Sequence, residues 1–285
     1  VLAGRLGFDC REDGNALMVK APAHRSDIQI SADLVEEVAR LVGYDRIPTT
    51  TLAGRLPDHP PQPIRGLIER LSDMLVGCGL QEVMTYSLIG RRLLDKMVAG
   101  TDTETPNRLR LANPMTPDQE ILRTSLLPSL MECLASNLRQ DEAGPRLFEI
   151  GRVYLPRHAD IHEERQMLVI GMAVPGWQRQ WSRAAAQLDF YDLKGIVEEL
   201  LDRLNLGETR FIQIMDQHPF HPGRTTAVYS KDVRLGVMGE LHPAVARNFE
   251  IRVPVYLAEF DLEQLLSVIG GEFLRIVPTP RFPAV

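Results

Sequence analysis

The pattern of apolar and polar residues divides the start of the chain into a strand and an amphipathic helix. Residues 16–20 form a short apolar run that ends before Pro22, which predicts a strand. Between Leu34 and Val42, apolar residues recur on one helical face, and Gly43 follows as a stop signal. With a helix before the strand, residues 1–47 are predicted to run helix, strand, loop, helix.

Helices and strands are then mixed along the rest of the chain. Apolar residues at helical spacing predict three further helices, at residues 64–75, 126–134 and 193–204. Asp189 and Asp192 stand at the N-cap and N3 positions of the third. Short apolar runs predict strands at residues 83–88, 109–112, 148–155, 168–174, 225–229, 234–238 and 256–261. Many short strands with tight turns and few helices predict an α+β fold built on an antiparallel sheet.

A proline-rich segment predicts one domain boundary. Prolines at positions 48, 57, 60, 61 and 63 interrupt any apolar periodicity, and proline blocks helix continuation and removes a ladder donor. We therefore expect an extended linker at 48–63 between a small unit, 1–47, and a larger unit, 64–285.

Composition narrows the class of protein. With 44% apolar and 25% charged residues the 285-residue chain is globular, and its net charge of −6 argues against a broadly basic nucleic-acid surface. No apolar run reaches membrane-spanning length, and three distant cysteines fit a reducing compartment. We expect a cytoplasmic protein without membrane contact, and, since the sequence starts at Val1, a portion of a longer chain.

Four carboxylates around a helix start form the main candidate site. Asp33, Glu36 and Glu37 fall within one helical turn, and Asp27 precedes them in a loop. Like charges at this spacing repel, and oxygen ligands suit Mg²⁺ or Ca²⁺. Two alternatives stay open: Asp33 with Glu36 as a capping box, and an ion pair of Glu36 with Arg40.

Other candidate chemistry is weaker. The close histidine pairs, 158/162 and 218/221, lack a third ligand at zinc-site spacing. The turn at 221–224 could receive an anion, although a turn in which Arg224 caps a carbonyl is the simpler interpretation. Phosphate-loop, dinucleotide-binding and nucleophile-elbow motifs are missing from the sequence, which argues against those enzyme classes.

Residues 25–48 (RSDIQISADLVEEVARLVGYDRIP) closely resemble the β subunit of bacterial-type phenylalanyl-tRNA synthetase. Later motifs of the same subunit follow in the same order, at residues 79–87, 113–117, 122–128, 147–154, 189–195, 221–224 and 239–243. Each motif alone is modest, but their joint order is specific and spans nearly all of the chain. The resemblance implies the end of a small DNA-binding-like domain, followed by a module built on the antiparallel sheet of class II synthetases.

The resemblance also implies a non-catalytic role. In that family the α subunit uses ATP to form Phe-adenylate and Phe-tRNA, and the β module is a degenerate copy within an α2β2 tetramer that takes tRNA(Phe). The arginine that grips the ATP phosphate in active relatives is replaced here by Leu155, and the glycine-rich stretch at 236–239 leads into Glu240 instead of arginine. The chain alone is therefore expected to be inactive.

The same resemblance implies a magnesium site shared with the α subunit. Its β-side ligands correspond position by position to Asp27, Asp33, Glu36 and Glu37. The predicted helix at 64–75 is the candidate for subunit packing, and ordinary core packing is its alternative.

Two other functions remain as competing hypotheses. A stand-alone metal-dependent phosphoryl or hydrolytic enzyme could use the acidic cluster at 27–37, but the cluster lacks a plausible nucleophile or base partner and lies outside the larger unit. A nucleic-acid module in residues 1–47 is disfavoured because Glu36 and Glu37 would repel phosphate.

Overall fold

The computed structural model describes residues 1–54, 62–99, 108–140, 144–157, 162–173, 188–215 and 217–269. The chain divides into two compact units, Val1–His59 and Pro60–Val285. This division falls inside the proline-rich segment at 48–63. His158 and Val174, which belong to predicted features, lie outside the described residues. Within the described part, no helix is both long and apolar enough to cross a membrane.

The first unit combines a hairpin with two helices. Its elements are α1 (Leu2–Leu6), β1 (Asp9–Asp13), β2 (Ala16–Lys20), α2 (Ser31–Val42) and a 3-10 turn (Tyr44–Arg46). The strand at Ala16–Lys20 and the helix ending at Gly43 are confirmed. Strand β1 was not predicted, although the Asp13–Gly14 step before the next strand is a hairpin signal. Gly14 has a φ of 60°, which a side chain would disfavour.

The second unit holds most of the secondary structure. Its helices are α3 (Pro63–Gly77), α4 (Arg91–Lys96), α5 (Leu127–Leu138), α6 (Phe190–Arg203), α7 (Pro243–Asn248) and α8 (Leu262–Val268). Its strands are β3 (Gln81–Glu82), β4 (Leu88–Ile89), β5 (Ile121–Leu122), β6 (Arg146–Leu155), β7 (Glu163–Met172), β8 (Thr209–Ile214), β9 (Phe220–Ser230), β10 (Val233–Leu241) and β11 (Tyr256–Asp261).

A seven-stranded sheet organises this unit, with the order β3-β6-β7-β11-β10-β9-β8. Every neighbouring pair is antiparallel except β3 with β6. The mixed α+β architecture with a mainly antiparallel sheet is therefore confirmed. Pro63 begins α3, at the helix position that tolerates a missing N–H.

Helices cover both faces of the sheet. Helices α3, α6 and α8 pack on one face against residues such as Phe148 and Phe260. Helices α5 and α7 pack on the other, against residues such as Val169 and Leu257. The apolar stripe of α3, centred on Leu71, belongs to the first of these cores, so that stripe serves intramolecular packing.

A buried ion pair lies on the α5 face, where an arginine joins three separate segments. Arg123 Nη1 lies 2.7 Å from Glu149 Oε1, and the two side chains are 4% and 2% exposed. Arg123 also donates to Thr85 Oγ1 at 2.8 Å and to the Arg152 carbonyl at 2.9 Å. A Cβ at Gly151 would collide with this guanidinium, so the glycine makes room for it.

Two strand predictions are wrong. Of the strand expected at 83–88, only Leu88 lies in a strand, β4, while Thr85 donates its backbone N–H and hydroxyl to Glu149. Of the strand expected at 109–112, only Arg110 forms a bridge, to Ile121.

A second buried polar contact joins β11 to the start of α5. Ser125 Oγ donates to Glu259 Oε1 at 2.7 Å and accepts from the Leu127 backbone N–H at 3.1 Å. Glu259 keeps some exposure as a whole residue, but the dense surroundings of its carboxyl raise its pKa above the ordinary 4.5. Hydrogen bonds from Ser125 and the Leu126 backbone offset only part of this rise.

We expect Arg123→Met to destabilise the chain by about 3–5 kcal/mol, since it leaves the Glu149 carboxylate buried without its cation. The double variant Arg123→Met/Glu149→Met should recover part of this loss. The measurement is urea unfolding followed by far-UV circular dichroism. Arg139→Met, which breaks the exposed pair with Glu250 at 3.4 Å, is the control and should cost no more than about 1 kcal/mol. Equal losses in both single variants would contradict a structural role for the buried pair.

Glu259→Gln should change the pH dependence of stability. A raised pKa means that the folded protein holds this proton more tightly than the unfolded chain. The resulting stabilisation is complete below the unfolded pKa and is lost as pH rises through the folded pKa. The variant should therefore gain stability over wild type as pH rises from about 4 to neutral, measured by thermal melts. Glu208→Gln removes the same charge from an exposed position, and an equal effect there would assign the change to net charge.

Candidate functional site

The acidic segment, residues 27–37, contains the start of helix α2. The N-cap side chain of this helix cannot accept a hydrogen bond. Helix α2 starts at Ser31, and its N-cap is Ile30, which has no polar atom to cap with. Asp33, at N3, accepts instead from the backbone that precedes the helix: its Oδ2 accepts from the N–H of Gln29 at 2.7 Å and of Ile30 at 2.8 Å. The alternative in which Asp33 is the N-cap paired with Glu36 is therefore wrong, because the helix begins at Ser31.

Arg25 connects the loop carboxylate to the helix. Its Nη2 lies 2.7 Å from Asp27 Oδ2 and 2.9 Å from Glu37 Oε1, and its Nε donates to both Asp27 oxygens. The guanidinium carbon stands 5.8 Å from the ring centre of buried Phe8. This packing fixes the arginine between the two carboxylates.

Arg40 completes the pairing on the helix. Its Nη2 lies 2.7 Å from Glu37 Oε2, one turn away at i,i+3. The alternative in which Arg40 pairs with Glu36 is therefore wrong. Glu37 is the residue that turns inward, with 9% exposure, while Glu36 is exposed and makes no hydrogen bond or ion pair with the described residues.

These contacts set the electrostatics of the segment. Hydrogen bonds from Arg25, and for Glu37 also from Arg40, hold the pKa values of Asp27 and Glu37 below their ordinary range. Two backbone N–H groups lower the pKa of Asp33. The two carboxylates in turn raise the pKa of Arg25. Asp27, Asp33 and Glu37 therefore stay ionised at neutral pH.

The donor chemistry of the segment suits Mg²⁺, but its present arrangement does not fit the ion. Over the described ranges, no group of three or more His, Cys, Asp and Glu side chains is placed to hold a metal. Asp27 and Glu37 are occupied by guanidinium groups, and Asp33 is occupied by the backbone. Sequence reasoning missed Arg25 as a partner, although it stands two residues before Asp27.

The hairpin of β6 and β7 contains Leu155, the position for which the resemblance implies a phosphate-binding arginine in active relatives. Strand β6 ends at Leu155, which pairs with Glu163, and Pro156 follows. Arg157 lies 2.8 Å from Glu163, and Arg165 contacts both Glu163 and Asp261. These arginines are thus neutralised by carboxylates of the same chain.

The two histidine pairs form no metal site among the described residues. His162 Nε2 lies 3.4 Å from Glu164 Oε1, and His158 falls outside the described residues. The rings of His221 and His242 stack at 6.3 Å.

Residues 221–224, expected to form a turn, belong to strand β9, and the glycines of the neighbouring β10 serve packing. Arg224 binds Glu240 at 2.7 Å, so the expectation that it caps a carbonyl is wrong. A Cβ at Gly236 would collide with the carbonyl of Glu259, and one at Gly239 would lie 2.6 Å from the carbonyl of Arg224. The glycines allow β10 to lie close to its neighbouring strands.

Curated relatives are similar over nearly the whole chain. The phenylalanine–tRNA ligase beta subunit of Syntrophotalea carbinolica is 38% identical over 276 residues, which is 96% of this chain and 34% of that protein. The beta subunit of Clostridium acetobutylicum is 34% identical over 283 residues, covering 99% and 34% respectively. The chain thus spans about a third of the length of these relatives.

Solved structures of pyrrolysyl-tRNA synthetases have a similar fold. The pyrrolysyl tRNA synthetase PylSc of Desulfitobacterium hafniense superposes with a TM-score of 0.56 at 19% identity. The match covers 83% of this chain and 72% of that one. A second structure of pyrrolysyl-tRNA synthetase from the same organism gives the same TM-score at 20% identity, with 83% and 75% covered.

Family comparison accounts for most of the chain in two consecutive segments. Residues 2–44 match the tRNA synthetase B5 domain. Residues 47–262 match the family described as the phenylalanyl tRNA synthetase beta chain CLM domain. Because the second match covers more than half of the chain, and the beta subunits above are similar over nearly all of it, the chain belongs to the phenylalanyl-tRNA synthetase beta chain family.

Proposed function

We propose that this chain is a non-catalytic β-subunit portion of phenylalanine–tRNA ligase. The observation that carries the proposal is its membership of the beta chain family, with similarity along 92–99% of its length to the beta subunits compared. In the complete enzyme it would support an α subunit that forms Phe-adenylate and Phe-tRNA with ATP, within an α2β2 tetramer that takes tRNA(Phe).

The structure of the second unit supports a scaffold. Helices cover both faces of its sheet, and the buried contacts of Arg123 and Glu259 fill the α5 face. The arginines of the β6–β7 hairpin bind carboxylates, which leaves them unsuited to fix a phosphate. We assign the sheet to the class II synthetase type, and the domains to 1–47, 48–63 and 64–285.

Exposed apolar residues on the segment after β3 support docking of a partner subunit. Met84 is 90% exposed and Tyr86 is 77% exposed. Large apolar side chains in such positions are typical of protein interfaces. We infer that this segment, together with the acidic segment of the first unit, takes part in binding the α subunit.

Asp27, Asp33, Glu36 and Glu37 are the proposed β-side ligands of a shared Mg²⁺. The ion would supply positive charge that joins these carboxylates to oxygen ligands of the partner. Glu36 is the carboxylate that the described structure leaves available. The alternative of a stand-alone phosphoryl or hydrolytic enzyme has no support from the family comparison, since the matched relatives are tRNA ligase beta subunits.

The isolated chain should form no aminoacyl-adenylate. Phenylalanine-dependent exchange of pyrophosphate into ATP should stay at the level of the enzyme-free control, since each arginine described at the end of β6 is paired with a carboxylate. A preparation with added α subunit serves as the positive control. Exchange by the pure chain, lost on Arg165→Gln but retained on the exposed-site variant Arg139→Gln, would contradict the non-catalytic role.

The chain should co-purify with a phenylalanyl-tRNA synthetase α subunit, and more strongly with Mg²⁺ than with a chelator. Glu36→Gln should raise the Mg²⁺ concentration needed for association, because it removes a ligand that makes no contact within the described structure. Glu12→Gln on β1 removes one charge from the same unit and should leave the concentration unchanged. If no complex forms with Mg²⁺ or with the chelator, the subunit role is refuted. If the complex forms equally well in both, only the proposed metal ligands are refuted.

A further inference from the structure

A cleft of about 560 Å³ in the second unit is lined by the first turns of α6 and by strands β8 to β11. Its lining includes residues from three of the sequence motifs, at 189–195, 221–224 and 239–243, together with Tyr256 on β11. These motifs are far apart in the chain, and the fold brings them to one place. We call this feature the α6 cleft.

Tyr256 brings a buried hydroxyl to the inner end of the α6 cleft. The residue is 9% exposed, and it belongs to the core covered by α3, α6 and α8. Burial raises the pKa of its hydroxyl, and the charges of Glu240 and Asp189 raise it further, so the group stays protonated. The hydroxyl makes no hydrogen bond with the described residues, although a buried tyrosine hydroxyl usually has a partner. A ligand atom in the cleft would supply that partner.

Carboxylates dominate the electrostatics beside this hydroxyl. Glu240 lies directly opposite Tyr256 in the pairing of β10 with β11, and its side chain is 16% exposed. Its Oε2 binds Arg224 Nη1 at 2.7 Å, while its Oε1 makes no hydrogen bond with the described residues. Asp189 and Asp192 add negative charge that acts on Tyr256, and Arg224 opposes it. The inner end of the cleft therefore favours a cation over a phosphate.

Aromatic rings line the part of the cleft formed by α6 and β8. Tyr191 is 72% exposed and stands edge-on to Phe190, with the ring centres 5.7 Å apart. Lys194 Nζ lies 4.7 Å from the ring centre of Phe211, so one cation of the chain already packs on a ring here. A guanidinium stacks on aromatic rings, and its planar fork can donate to two acceptors at once, which a lysine ammonium does less well.

We propose that the α6 cleft receives an arginine side chain of a partner polypeptide. The guanidinium packs against Tyr191 and donates to the free oxygen of Glu240 and to the hydroxyl oxygen of Tyr256. Charge complementarity identifies this occupant, since carboxylates surround the inner end and the whole chain has a net charge of −6. The inference goes beyond the proposed function, because it requires neither Mg²⁺ nor a particular subunit.

The test uses the whole chain with ¹³C-labelled tyrosine rings, titrated with the blocked peptide acetyl-Gly-Arg-Gly-amide and followed by NMR. The ring signals of Tyr191 and Tyr256 should shift to saturation. The signal of Tyr229, which does not line the cleft, should stay unchanged. At the same concentrations acetyl-Gly-Gln-Gly-amide, which has no charge, should leave all of these signals in place.

Tyr256→Phe removes only the hydroxyl and should weaken binding of the arginine peptide about 3- to 10-fold, measured from the Tyr191 signal. Tyr229→Phe removes a hydroxyl outside the cleft and should bind as wild type does. If circular dichroism shows that Tyr256→Phe is misfolded, Tyr191→Ala changes an exposed side chain instead. It should weaken binding about 2- to 5-fold, measured from the Tyr256 signal.

Three outcomes would overturn the inference. If the arginine peptide causes no saturable shift, the cleft is not a site for this side chain. If the glutamine peptide binds equally well, charge does not determine recognition. If the RNA trinucleotide UUU shifts the same two tyrosines at lower concentration than the peptide, the cleft belongs to single-stranded RNA. Each outcome is separate from co-purification with the α subunit, which tests the proposed function.

Discussion

Burial of the sheet on both faces is the constraint on which the second unit depends. Strands β7 and β11 place alternate residues into two separate cores, so Ile170 faces one layer of helices and Val169 the other. Any polar group on these faces must then be satisfied by another buried group. Arg123 with Glu149, and Ser125 with Glu259, are the solutions found here. Both couple the start of α5 and the segment before it to the sheet.

The same constraint gives a physical meaning to two family motifs. Residues 122–128 supply Arg123 and Ser125, and residues 147–154 supply Glu149 and the Gly151 that makes room for the guanidinium. These residues hold segments together on the face covered by α5. Met84 and Tyr86, on the segment that follows β3, remain exposed.

Opposite charges are matched repeatedly within the described part of the chain. Glu163 binds two arginines, Arg224 binds Glu240, and Arg25 binds both Asp27 and Glu37. In the second unit this pairing occupies the arginines of the β6–β7 hairpin, and in the first unit it occupies Asp27 and Glu37. Any ligand of these groups would have to displace the partner that already binds them.

The sequence by itself determined the helices with complete periodic stripes and the capped start of α6, where Asp189 and Asp192 act as predicted. Local spacing specifies these features, since side chains three and four apart share a helical face. It also determined family membership through the order of its motifs. Local patterns wrongly predicted a strand at residues 83–88, because Thr85 binds Arg123 and Glu149, which lie far away in the sequence.

Only the tertiary structure decided which carboxylates of the acidic segment are occupied. Spacing places Asp33, Glu36 and Glu37 together but cannot show that Glu37 turns inward or that the loop returns Arg25 to it. The pairing of Arg25 with Glu37 joins residues twelve apart through a loop, and its geometry depends on packing against Phe8. Sequence spacing thus predicts which carboxylates lie together, but only the fold shows which cations pair with them. The reason is that contacts between distant residues produce no periodic pattern in the sequence.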